Sequence, residues 1–272
     1  MEATPRRLYI FTGKGGVGKT TLSRAFVSYL NQQNRKAVYL TFQNQSLGDQ
    51  HSGNAEKIVN GIKEIYLDLE ECASAYIEKR LGSKLVSSWI VKTPFFRALI
   101  NMVPGFTYLI FLGKVLEMGN EDPNLTIVLD APASGHALTM IESTTNFQEI
   151  FKSGVIFDDT SKMLSRLNDP KYTQIHVVTL PGVLAWQEAV ELKESLKKRT
   201  PVDISITVNN CLYPLVADKI NELPQGLKDK ALNEKELLEQ NKNEMHCVLS
   251  HSLSNNSSQI ERELVGSLSK LV

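Results

Sequence analysis

Short apolar runs and stretches of helical spacing alternate along most of the chain. Leu8–Thr12 (LYIFT) is continuously apolar and stops at a glycine, the pattern of a strand buried on both faces. In residues 20–34, Leu22, Phe26, Val27 and Leu30 recur at helical spacing, and Ala37–Phe42 (AVYLTF) reads as a second strand. Further strands are predicted at 125–129, 174–179, 204–208 and 246–249, with helices at 184–198 and 258–271. Regular strand–helix alternation predicts an α/β architecture, a doubly wound and mainly parallel sheet with helices on both faces.

Two stretches interrupt the rhythm. Residues 48–122 offer no convincing core strand, only helical patterns punctuated by Pro94 and Pro104-Gly105, so a helical insertion is expected at about 49–122 within a single domain spanning 1–272. Residues 221–244 are rich in Lys, Glu, Asn and Gln and read as a solvated helix with loops.

Composition narrows the functional classes. The 30 Lys+Arg balance 30 Asp+Glu, which removes the simplest electrostatic route to nucleic acid or anionic membranes. Three scattered cysteines, Cys72, Cys211 and Cys247, with no C-x-x-C pair, argue against a disulfide framework or a zinc site and for a reducing compartment. The first residues lack the apolar core and cleavage pattern of a secretory leader. Residues 85–118 are the most apolar, yet Lys92, Arg97, Asn101, Pro104 and Lys114 interrupt them before the about 18–20 apolar residues of a membrane span are reached. A cytoplasmic protein without an integral membrane segment is expected.

The chemistry is concentrated first in Gly13-Lys14-Gly15-Gly16-Val17-Gly18-Lys19-Thr20-Thr21, which satisfies G-x-x-x-x-G-K-[ST] between a predicted strand and an amphipathic helix. Glycines let backbone N–H groups turn inward around phosphates, and the following helix adds the positive end of its dipole. Lys19 is then the residue for the β and γ phosphates of ATP, and the Thr20 hydroxyl a ligand for Mg²⁺. Asp130, at the end of TIVL, is the second candidate Mg²⁺ residue, acting through water. The Pro/Gly-containing segment after it suits a γ-phosphate sensor.

Lys14, directly after the first glycine, gives the loop a resemblance to the deviant Walker A motif of a dimerising ATPase class. In that class this lysine reaches across the dimer interface to the partner's nucleotide; the plainer alternative is an exposed loop lysine. The run Asp130-Ala131-Pro132-Ala133-Ser134-Gly135-His136 resembles the switch II of one branch, the arsenite-pump and tail-anchored-protein-targeting ATPases. The stretches 103–115 and 147–154 and Val177-Val178-Thr179-Leu180-Pro181 resemble other segments of this family in the expected order. Asn209, at the end of a late strand, stands where members place an adenine-reading asparagine; a strand-end turn is the alternative. The resemblance implies a phosphate-loop ATPase that closes as a homodimer or as a heterodimer with a related ATPase. It also implies that nucleotide state is coupled to a hydrophobic client or partner protein.

Several residues depart from the family pattern. Its second strand ends in T-D-P, whose Asp activates the attacking water; here Thr41 is followed by Phe42, which can neither accept a proton nor orient water. Gln43 is adjacent, but alternation along a strand aims it the other way. The acids that usually follow T-L-P are replaced by Gly182 and Val183, and the zinc clasp of eukaryotic members is missing. Nor do the cysteines form a grouped thiol site for arsenite. Two readings follow: an ATPase coupled to a client, slowed by Phe42, or a hydrolysis-deficient nucleotide-binding subunit paired with an active relative. In the insertion, 107–112 (TYLIFL) is apolar nearly all round, which suits either a binding surface or a satellite core.

Overall fold

The computed structural model describes residues 6–42, 53–103, 105–150 and 152–272. Gln43, next to the position of the family's T-D-P aspartate, lies outside the described residues. The strands are β1 (Leu8–Thr12), β2 (Ala37–Phe42), β3 (Ala55–Val59), β4 (Ile62–Leu67), β5 (Thr126–Asp130), β6 (Thr173–Thr179), β7 (Asp203–Cys211) and β8 (Met245–Ser250). They form one sheet in the order β3-β4-β2-β5-β1-β6-β7-β8. Every neighbouring pair is parallel except β3 with β4.

Helices α1 (Lys19–Gln32), α2 (Leu69–Leu81), α3 (Lys84–Val91), α4 (Pro94–Met102), α5 (Phe106–Glu121) and α6 (Ser134–Ile150) occupy the first half. They are followed by α7 (Val155–Leu167), α8 (Val183–Lys197), α9 (Tyr213–Val216), α10 (Gln225–Gln240) and α11 (Ser257–Val265). The helices cover both faces, as the strand–helix rhythm predicts. On one face α1 and α11 pack against Tyr9, Phe11, Tyr39 and Val128. On the other, α5, α6, α8 and α10 cover Ile10, Leu40, Ile127, Val177 and Ile206. Alternate residues of one strand thus enter opposite cores, which is why residues 8–11 of β1 and 37–40 of β2 are apolar at every position.

The expectation of no core strand in 48–122 is corrected: β3 and β4 fall inside it, and the helices of that stretch, α2 to α5, begin at Leu69. Asn60-Gly61, both at positive φ (52° and 79°), joins these strands in a two-residue hairpin. β4 then pairs with β2, extending the sheet beside the strand that ends at Phe42. Among the described residues, no single helix is long and apolar enough to cross a membrane.

His176 on β6 is wholly buried beneath this fold. Its ring stacks on Phe11 at 4.8 Å, and its Nδ1 lies 2.7 Å from Ser205 Oγ. Burial, reinforced by nearby His246 and Arg6, pushes its pKa down from 6.5 to about 3. Because the folded value lies below the unfolded one, the unfolded chain takes up the proton first as pH falls. The stability carried by the neutral ring is therefore complete above 6.5 and declines toward about 3. Urea unfolding is expected to show about 2 kcal/mol lost between roughly pH 7 and pH 5 from this group. In His176→Leu that part of the pH dependence should vanish; an unchanged slope would place it elsewhere.

The three cysteines are buried free thiols. Burial pushes Cys72 and Cys211 up to about 12. At neutral pH they are protonated, unreactive core residues.

Candidate functional site

β1 delivers the chain to the centre of the sheet, between β5 and β6, and the glycine-rich turn leaves from its carboxyl end. Ligands of open α/β sheets bind in this crevice. Gly13 has φ 140°, and an added Cβ would overlap the Val178 carbonyl oxygen, so only glycine lets the loop leave β1 this closely against β6. Gly18 has φ 90° and caps the amino end of α1. A Cβ there would strike the Asn209 side chain. Around Gly15 and Gly16 there is open space, as a loop that admits phosphate oxygens requires.

Lys19, the first residue of α1, folds back across the loop, and its Nζ donates to the Lys14 carbonyl at 2.9 Å. Burial lowers its pKa and the nearby Asp130 carboxylate opposes that shift. Thr20 follows, its hydroxyl donating to Asp130 Oδ2 at 2.6 Å. Asp130 ends β5 and is buried, and Oδ2 also accepts from the Tyr39 hydroxyl at 2.8 Å. Burial raises the Asp130 pKa, while the bonds from Thr20 and Tyr39 and the Lys19 charge pull it back. The sheet thus brings the two candidate Mg²⁺ residues, 110 positions apart in the chain, into direct contact.

Tyr39 extends the polar site in a way the sequence pattern did not indicate. The Arg24 guanidinium lies 5.1 Å from its ring centroid and 2.7 Å, Nε to Oε1, from the fully buried Glu64 of β4. Arg24 Nη2 also bonds Glu64 Oε2 at 3.1 Å and the Tyr66 hydroxyl at 3.2 Å. A continuous polar chain thus runs from Thr20 through Asp130, Tyr39 and Arg24 to the hairpin.

The other site residues are placed differently. Lys14 is exposed and paired with Glu188 of α8 in its own chain. Asn209 donates from Nδ2 to the Val17 carbonyl at 3.0 Å, so it braces the loop. In the run that resembles switch II, α6 already starts at Ser134, so its Ser134, Gly135 and His136 are helical. Phe42 points away from the α1 face: its ring stacks on Phe111 of α5, centroids 4.4 Å apart and planes 6° from parallel. Tyr108 of the same helix lies 6.4 Å from Phe42 and 6.4 Å from His136, ring to ring. One face of α5 therefore meets the end of β2 and the start of α6.

A sequence-family profile described as anion-transporting ATPase matches residues 6–156, more than half of the 272 residues. The matched part contains β1, the glycine loop, the helical segment and the run from Asp130 to His136. Among curated proteins, an ATPase ASNA1 homologue of Cryptosporidium parvum is 25% identical over 256 residues, covering 80% of this chain and 67% of that protein. A putative ATPase of Mycobacterium tuberculosis is 23% identical over 226 residues, covering 75% of this chain and 64% of that protein. A putative arsenical pump-driving ATPase of Aquifex aeolicus is 26% identical over 210 residues, covering 70% of this chain and 50% of its own length.

Proposed function

The chain belongs to the anion-transporting ATPase family, and on that premise we propose that it binds Mg·ATP at residues 13–21 and uses the nucleotide to close a dimer. The chain is then one phosphate-loop domain with α2 to α5 as its helical insertion. The observation that carries it is the 2.6 Å bond from Thr20 to Asp130 beneath an open glycine loop. With its proton directed at Asp130, the Thr20 hydroxyl keeps lone pairs for a hard cation. Mg²⁺ characteristically takes few protein oxygens and completes its shell with water and substrate phosphates, so this pair fits it. When bound, the metal neutralises charge on the β and γ phosphates. Lys19 binds the same oxygens, and Asp130 holds Thr20 in place. Asn209 braces Val17 with its amide N–H, and the oxygen of the same amide suits the adenine amino group.

For dimer closure, Lys14 must leave Glu188, an exposed pair that contributes little to stability. Val183 and Leu184, exposed at 63% and 77% on the same helix as Glu188, support an apolar contact at this face. Signals from the nucleotide would reach the helical segment through Tyr108, between His136 and Phe42. There Leu85, Trp89, Phe95 and Met102 present an exposed apolar surface suited to a hydrophobic partner protein. Phe42 favours a second reading, a nucleotide-binding subunit with weak hydrolysis that works beside an active relative.

Light scattering after size exclusion tests the dimer. The full chain is expected to elute as a monomer alone and as a dimer with Mg²⁺ and a slowly hydrolysed ATP analogue, and Lys14→Ala should remain monomeric. A wild-type monomer under both conditions would overturn the nucleotide-gated dimer.

A further inference from the structure

Asp130 is gripped from two elements. Thr20 of α1 and Tyr39 of β2 both donate to the same carboxylate oxygen, Oδ2, at 2.6 and 2.8 Å. The Thr41 hydroxyl, two residues further along β2, donates to the Asp130 backbone carbonyl at 3.3 Å. β2 and β5 run parallel with Thr41 level with Asp130, so β2 holds this residue at its backbone and at its side chain. The two donors to Oδ2 differ in placement. Thr20 is exposed on the loop, where its lone pairs suit a cation, whereas Tyr39 is buried and its hydroxyl is committed to Asp130. With both bonds on Oδ2, Oδ1 is the oxygen left for a hydrated cation.

Tyr39 is itself held in place. The Arg24 guanidinium lies over its ring, 5.1 Å from the centroid, and is anchored on the other side by both oxygens of Glu64 and by the Tyr66 hydroxyl. That hydroxyl also donates to Glu64. Glu64 occupies a wholly buried position on β4, where an aliphatic side chain would avoid the loss of a carboxylate's hydration. A buried ion pair of this kind does little for stability that apolar packing would not also do. What this one adds is direction: it fixes Arg24 against the Tyr39 ring.

We infer that Tyr39 is a positioning residue for the divalent cation of the nucleotide site: its hydroxyl holds the Asp130 carboxylate, and Arg24, keyed to Glu64, holds the Tyr39 ring. The inference rests on the Mg·ATP site proposed above. It makes β4 part of the support of that site, although β2 separates it from β5 in the sheet. Partners that hydrogen-bond a metal-ligating carboxylate set its orientation, and their loss is felt in metal affinity.

Titration calorimetry of the full chain with ATP, once in EDTA and once in saturating Mg²⁺, separates the metal's share of the affinity from the rest. Wild type is expected to bind ATP more tightly with Mg²⁺. In Tyr39→Phe that gain should shrink about tenfold, the lower end of what losing such a partner costs, while affinity in EDTA stays unchanged. Arg24→Lys leaves the Tyr39 hydroxyl in place and supplies a second arm. Lysine keeps a charge for Glu64 but cannot bond Glu64 and Tyr66 while lying on the Tyr39 ring, so the gain should shrink about three-fold. The double variant should lose no more than Tyr39→Phe alone, because Arg24 acts through the hydroxyl that is gone. Wild type with no gain from Mg²⁺ would overturn the Mg·ATP site itself. Where wild type does gain, an undiminished gain in either single variant would overturn the positioning role. So would an equal loss of affinity in EDTA, the mark of a merely structural residue, or additive losses in the double variant.

Discussion

Lys19→Ala is expected to lower Mg·ATP affinity at least about a hundredfold, measured by titration calorimetry. A charge-assisted hydrogen bond contributes about 1.5–3 kcal/mol, and in the proposed site Lys19 would supply two of them, to the β and γ phosphates. At 1.4 kcal/mol per factor of ten, even the lower estimate gives about two orders of magnitude. Lys19 already lies across the loop at 2.9 Å from the Lys14 carbonyl, so its ammonium would reach phosphates bound there without rearranging α1. The variant should melt near the wild-type temperature, because this side chain supports no core packing. Unchanged affinity in a folded variant would remove the glycine loop from consideration as the nucleotide site.

Phe42→Asp is expected to raise single-turnover ATP hydrolysis by about a hundredfold, the lower end of what a positioned general base supplies. The substitution has a cost at the other end of the same residue. Phe42 stacks face to face on Phe111, and replacing a partly buried aromatic by a carboxylate removes that contact. Phe42→Leu therefore serves as the control, since it shortens the stack without adding a base and should leave turnover at the wild-type level. If Phe42→Asp gains nothing over this leucine control, the slow step lies elsewhere. An equal gain from both variants would instead assign Phe42 a restraining role through α5.

Much of this organisation is legible from local sequence, and the exceptions have physical causes. The strands β1 and β2 are apolar at consecutive positions because they are buried on both faces, so their limits can be read directly. The glycine loop is equally legible, because its spacing is fixed by backbone requirements that few other residues meet. β4 is harder to recognise. Its run IKEIYL places Glu64, a charge, at a wholly buried position, and the Arg24 guanidinium on α1 together with the Tyr66 hydroxyl makes that burial tolerable. The hairpin did carry a local signal in Asn60-Gly61, which the apolar helices downstream obscured. The Thr20–Asp130 contact is foreseeable from motif chemistry, whereas the Tyr39 bond is not, since nothing in AVYLTF marks its tyrosine as other than a core aromatic. Phe42 shows the opposite limit: the sequence indicates what it lacks, and only the fold reveals that it packs on α5.

The β3–β4 hairpin has one more consequence. β3 is the terminal strand of the sheet among the described residues, and its middle positions, Glu56, Lys57 and Ile58, are exposed. Glu56 is tied across the hairpin to Lys63 at 2.8 Å, and Lys57 sits over the Tyr66 ring at 5.2 Å. Charged, short terminal strands discourage another chain from adding itself by backbone pairing. The hairpin therefore discourages strand addition at this edge of the sheet.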